Sequence, residues 1–164
     1  MRRKAAFGLV CLLTLGSSGY CEAQETAVPI QSGRTFHVDD TGTFVLDPAL
    51  EMQWQPIGRS GASTIVTATT KVSVHLNLAP WVGQSGRIYM VLPRTTGPTV
   101  RASWTTGGTL LPGTLISGER ALVYSGLVNI VVIRDLLDIK LEADGSRLTQ
   151  PEALVFSFEI ETDQ

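Results

Sequence analysis

The densest group of acidic side chains in the 164-residue sequence is Asp135, Asp138, Glu142 and Asp144. Two carboxylates held roughly 5 to 9 Å apart can divide acid and base work on a bound substrate. On an extended strand, however, Asp138 and Glu142 share a face with Lys140, the pattern of a solvated charged surface. The group also lacks the spacing of an EF-hand calcium loop. His37, Asp39 and Asp40 bring an imidazole and two carboxylates close together. A zinc site takes three or four protein ligands, and Asp39-Asp40-Thr41-Gly42 reads better as a tight turn. His75 falls on the polar face of a strand, with nothing beside it in sequence to complete a site.

A serine triad would have to recruit one of only two histidines, and no Gly-x-Ser-x-Gly elbow occurs. Thr106-Gly107-Gly108-Thr109 lacks the lysine and the following helix of a phosphate-binding loop. No catalytic residue, metal ligand set or cofactor is assigned, and the sequence predicts a protein that is not an enzyme. Aromatic residues are the better candidates. Trp54, Trp81 and Trp104 each fall at a strand end or turn, where an indole can stack on a sugar ring or close the end of a sandwich. Arg87, Tyr89 and Arg101 share an outer face of two neighbouring strands if Ile88, Met90, Val100 and Ala102 point inward. The binding candidates are therefore Trp81, Arg87, Tyr89, Arg101 and Trp104.

These side chains must be carried by strands. From Lys71 to Pro93, Val72, Val74, Leu76 and Leu78 alternate with polar residues, and Ile88, Met90 and Leu92 resume the period of two after a Pro- and Gly-containing turn. This stretch is predicted to be the core hairpin. A first hairpin is expected from Arg34–Val38 and Thr43–Leu46 around Asp39-Asp40-Thr41-Gly42. The run Thr64–Leu78 exceeds a usual strand, which predicts a bend or bulge near Thr69-Thr70. Val100, Ala102 and Trp104 share one face. Within Asn129–Ala143, Ile130–Ile133 is β-branched, whereas Arg134–Leu137 could open a helical turn. Asp144-Gly145 favours a hairpin turn. Leu154, Phe156, Phe158 and Ile160 form the clearest inward face. About nine strands with turn signals between them predict an all-β, antiparallel, Ig-like two-layer sandwich, with a barrel as the alternative.

The chain opens Met1-Arg2-Arg3-Lys4 and continues with an apolar run, Ala5–Leu15, too short for a spanning helix of roughly 20 residues. This is the pattern of a secretory signal helix, with cleavage expected after Ala23. The expected organisation is a signal peptide over 1–23, a flexible lead-in over 24–33 and a single sandwich domain over 34–164. Both cysteines, Cys11 and Cys21, fall in the removed segment. The mature chain then has neither disulfide nor thiol chemistry. Lipidation of Cys21 would need a small residue before it, where Tyr20 stands. Removal of the signal leaves 10 basic against 14 acidic residues. Scattered basic residues and a net negative charge argue against nucleic acid. No second apolar run is long enough to span a membrane, so localisation in the periplasm or at the cell surface is expected.

The segments Leu78–Tyr89, Ala102-Ser103-Trp104 and Leu111-Pro112-Gly113 resemble a small β-sandwich module of bacterial exported and surface proteins, some of them fimbrial or adhesin-like. The resemblance covers about Val72 to Ile160. It implies a structural or adhesive role, with a protein partner met through a sheet edge or face, as in pilus or envelope assembly. A chaperone–usher pilin is the sharper form of this idea, an incomplete sandwich finished by a partner's strand. Gln24–Gly33 lacks a long alternating donor run, and the mature chain lacks a pilin-like disulfide.

Overall fold

Alternation builds the long strands. In Ile65–Asn77, Val66, Ala68, Thr70, Val72, Val74 and Leu76 are buried, and the residues between them face outward. The computed structural model describes residues 33–46, 53–54, 64–147 and 155–162. These contain β1 (Arg34–His37), β2 (Phe44–Val45), β3 (Gln53–Trp54), β4 (Ile65–Asn77), β5 (Ser85–Val91), β6 (Val100–Thr106), β7 (Gly113–Ile116), β8 (Arg120–Leu127), β9 (Val132–Asp144) and β10 (Ser157–Thr162). The expected signal peptide, most of the lead-in, both cysteines and Leu154 lie outside the described residues.

The strands form two antiparallel sheets, and the protein is a two-layer β-sandwich as the sequence predicts. The first sheet runs in the order β1-β10-β5-β8. The second runs β2-β4-β9-β6-β7, with β3 also pairing with β4. The core lies between them. Val72, Val74 and Leu76 of β4, Leu137 and Ile139 of β9, and Ala102 and Trp104 of β6 meet Ile88, Met90, Val123, Phe158 and Ile160 of the other layer. Phe158 and Ile160 are fully buried, and Phe156 packs partly against the core.

The expected pairings need correction. Lys71–Pro93 is not a hairpin, because β4 pairs with β9 in one sheet and β5 with β10 and β8 in the other. Both strands carry an apolar face, and crossing between layers turns those faces toward each other. The crossing uses a 3-10 turn at Ala79–Trp81, with buried Leu78 before it and Gly83 in a left-handed conformation after it. The first expected hairpin also parts. Thr43 N donates to Asp40 O, which closes the turn, but β1 joins β10 while β2 joins β4.

Asp144-Gly145 leads into a 3-10 turn, Gly145–Arg147, rather than a hairpin, since β9 and β10 lie in different layers. Arg134–Leu137 is strand, not the start of a helical turn. No bulge occurs at Thr69-Thr70, where the register with β9 continues unbroken from Ile65 opposite Asp144 to Asn77 opposite Val132. The irregularity falls elsewhere, between Ile88 and Tyr89 of β5, where β8 inserts Val123 as an extra residue.

Candidate functional site

One end of the sandwich gathers apolar side chains that the core does not consume. There the β4–β5 and β8–β9 connections are tied by backbone hydrogen bonds. Leu78 N donates to Val131 O at 2.7 Å, Gly83 N to Val128 O at 2.8 Å and Val128 N to Gln84 O at 2.9 Å. Within this frame Trp81 closes the 3-10 turn, its carbonyl accepting from Gln84 N at 3.0 Å. Its indole is partly buried against the core and meets Phe36 of β1, ring centroids 6.3 Å apart and planes at 47°. A tilted pair of this kind contributes roughly 0.5–1.5 kcal/mol beyond area burial. Phe36 nevertheless remains 42% exposed, and Val82, Leu127 and Val131 at the same end are exposed as well. Single exposed apolar residues are ordinary, whereas several at one end of the sandwich make that end a candidate contact surface.

The other binding candidates separate. Trp104 is 3% exposed, its Nε1 donates to Leu111 O at 2.9 Å, and Gly113 lies against the ring. It is a core residue and cannot stack on a ligand, because β6 turns Val100, Ala102 and Trp104 inward together. Arg101 lies on β6 in the second sheet, whereas Arg87 and Tyr89 lie on β5 in the first. The three point outward from opposite layers and form no common patch. The alternation is as expected; the neighbourhood is not. Trp54 is 60% exposed on the short β3 and reaches Gly145.

Tyr89 belongs to a charged network on the outer face of the first sheet. Arg120 stacks on its ring at 4.3 Å from the centroid and bonds Glu161 at 2.7 Å, with Glu159 at 3.9 Å. The Arg120 bond holds the Glu161 carboxyl below the usual carboxylate range. Burial, then the nearby Glu161 charge, pushes the Tyr89 hydroxyl up.

The acids of β9 are divided between two faces. Asp138 pairs with Lys71 on β4, and Lys140 with Glu142 at 2.7 Å. Asp144 accepts from Ser146 Oγ at 2.6 Å and Ser146 N at 3.1 Å, which lowers its pKa. Asp135 alone takes an inward position, accepting from Thr106 Oγ1 at 2.8 Å and Leu110 N at 2.9 Å. His37 is exposed on β1, and Asp39 caps Thr41 N at 3.1 Å. Hydrogen bonds from Thr41 depress the Asp39 carboxyl pKa. The His75 ring lies against Gly42, whose φ is +100°. Among the described residues no group of three His, Cys, Asp or Glu side chains is placed to hold a metal.

A cleft of about 240 Å³ between β2 and the start of β10 is lined by Val45, Val72, Met90, Ile139 and Phe158 among others. It is largely apolar and continues the core. Among the described residues no helix is long and apolar enough to cross a membrane.

Phe36, Arg120 and Glu161 were not signalled as site residues by the sequence. Phe36 shares the inward parity of Val38, which identifies an apolar side chain at a sheet margin. No family model matches the chain, and no curated protein matches it in sequence.

Proposed function

We propose that the protein is a non-enzymatic exported β-sandwich that acts as a surface, fimbrial or envelope assembly and adhesion component. It meets a protein partner at the margin marked by Phe36 and Trp81. The observation that carries this reading is the partly exposed Phe36–Trp81 pair, with Val82, Leu127 and Val131 exposed at the same end of the sandwich. Aromatic side chains, tryptophan above all, are enriched among the few residues that carry most of the binding energy at protein interfaces. Export is supported by the basic start and short apolar run of the first 15 residues.

The test has two parts. N-terminal sequencing of the protein recovered from fractionated source cells should place it in the envelope or medium, beginning at or near Gln24. A photoreactive amino acid at Trp81 should cross-link a protein partner, and one at Arg101 on the opposite layer should not. Recovery in the cytosol with the leader intact would remove the export half, and equal labelling from both positions the contact half. The partly exposed indole of Trp81 favours one second reading, a glycan-binding module. Its fluorescence should then shift on a glycan panel and lose that response in Trp81→Ala.

A further inference from the structure

We propose that two copies of this chain pair through β1 in an isologous antiparallel dimer centred on Phe36. The proposal names a partner for the edge-driven assembly proposed above and rests on that reading. Strand β1 lies at the margin of the first sheet, and all four of its residues are exposed. Among the described residues, no strand pairs with the outer edge of Arg34–His37; the next outward-pointing residue, Asp39, is already bridged to Asn77 of β4, which limits the open edge to this one strand.

The register determines what that edge offers. Val38 N donates to Phe158 O at 2.9 Å, and the ladder with β10 continues with Phe36 opposite Ile160 and Arg34 opposite Thr162. Donors and acceptors alternate in direction along an antiparallel strand. Those of Arg34, Phe36 and Val38 therefore point at β10, and those of Thr35 and His37 point out of the sheet.

A second β1 laid antiparallel along this edge fits one register at every rung. With Phe36 opposite Phe36, Thr35 of each copy faces His37 of the other as a hydrogen-bonded pair, giving four backbone bonds about a two-fold axis. Phe36 falls at the non-hydrogen-bonded position, where side chains stand closest. Arg34 lies opposite Val38 and diagonal to the second copy's Phe36, a placement from which a guanidinium can lie on the ring. No like charges face each other across the rungs. Arg34–Val38 also contains no proline and no lysine, which commonly protect exposed edges. The two four-stranded sheets would become one continuous sheet, with the Phe36 surface and its Trp81 neighbour covered at the joint.

Light scattering on the purified protein, in the form its source cell accumulates, should give twice the monomer mass at mid-micromolar concentration. Thr35→Pro deletes a donor that points away from β10, and Phe36→Lys sets like charges against each other at the axis; each should return the monomer mass. Phe36→Cys should form a disulfide between copies under mild oxidation, localised by peptide mapping. Opposed Cα atoms at that position stand about 4.5 Å apart, within disulfide reach. Thr35→Cys, offset from its own copy, should not. The cysteine readout stands even where Thr35→Pro fails to fold. A monomer without the position-36 disulfide, or a dimer indifferent to Thr35→Pro and Phe36→Lys, would overturn the proposal. Either result leaves the envelope location and the Trp81 cross-link untouched, so the two readings fail separately.

Discussion

The Arg120 guanidinium lies 4.3 Å from the centre of the Tyr89 ring and ends 2.7 Å from Glu161. One side chain of β8 thus spans β5 and fastens to β10. The ring contact contributes about 0.5–1 kcal/mol at a site this open, and the ion pair about as much at most. With Arg120 44% exposed, solvent screens the pair and keeps it modest.

That bond has a pH signature. Arg120 depresses the Glu161 pKa in the folded state. The stabilisation is therefore present above the unfolded value, near 4.3, and is lost as pH falls through the lower folded value. Tyr89 runs the other way: its raised pKa gives a contribution present below about pH 10 and lost as pH rises through the folded value. Glu161→Gln should lower stability at neutral pH by no more than about 1 kcal/mol and flatten the acid limb between about pH 5 and pH 3. Urea unfolding across that range is the check. An unchanged acid limb would mean that Glu161 is not the carboxylate held by Arg120.

The three indoles should separate by access. Trp104 is 3% exposed, Trp54 60% and Trp81 between them. Variants retaining one tryptophan each should be quenched by iodide most at Trp54, less at Trp81 and least at Trp104.

Trp104 should also be the costliest of the three to truncate. Trp104→Ala removes a large core side chain, worth about 3–5 kcal/mol, whereas Trp104→Phe mainly strands the Leu111 carbonyl, at about 1–3 kcal/mol. Urea midpoints for the two variants measure the difference. Equal losses would place the value of Trp104 in its N–H bond rather than in its volume.

What was legible in the sequence was the face of each strand; what was not was its neighbour. Alternation at Val72, Val74 and Leu76, and again at Ile88 and Met90, identifies side chains that must be buried, and all of them are. It carries no information on whether β4 and β5 lie side by side or one above the other. Both arrangements bury the same residues, and a connection from Leu78 to Gln84 is longer than most hairpin loops of two to five residues. The same gap explains Arg87, Tyr89 and Arg101, outward on opposite layers. Phe36 became a candidate only when Trp81, distant in sequence, was brought against it.

Asp135 illustrates how parity separates acids that composition groups together. It sits between buried Ile133 and Leu137, two residues away on either side, and so faces inward, while Asp138 faces solvent. Its carboxylate accepts from Thr106 Oγ1, Leu110 N and Leu136 N, and Gly108 N in turn donates to Thr106 Oγ1 at 3.0 Å. Gly108 lies so close to the carboxylate that a Cβ there would overlap it. The β6–β7 connection is thus folded around one side chain. Asp135→Asn replaces one acceptor with an amide donor aimed at a bound donor, so it should cost about 1–3 kcal/mol in urea unfolding. Amide exchange at Leu110 should accelerate with it. Asp138→Asn disturbs only an exposed pair with Lys71 and should stay within about 0.5 kcal/mol. Equal effects at the two positions, with Leu110 exchange unchanged, would mean that the loop keeps its shape without the Asp135 carboxylate.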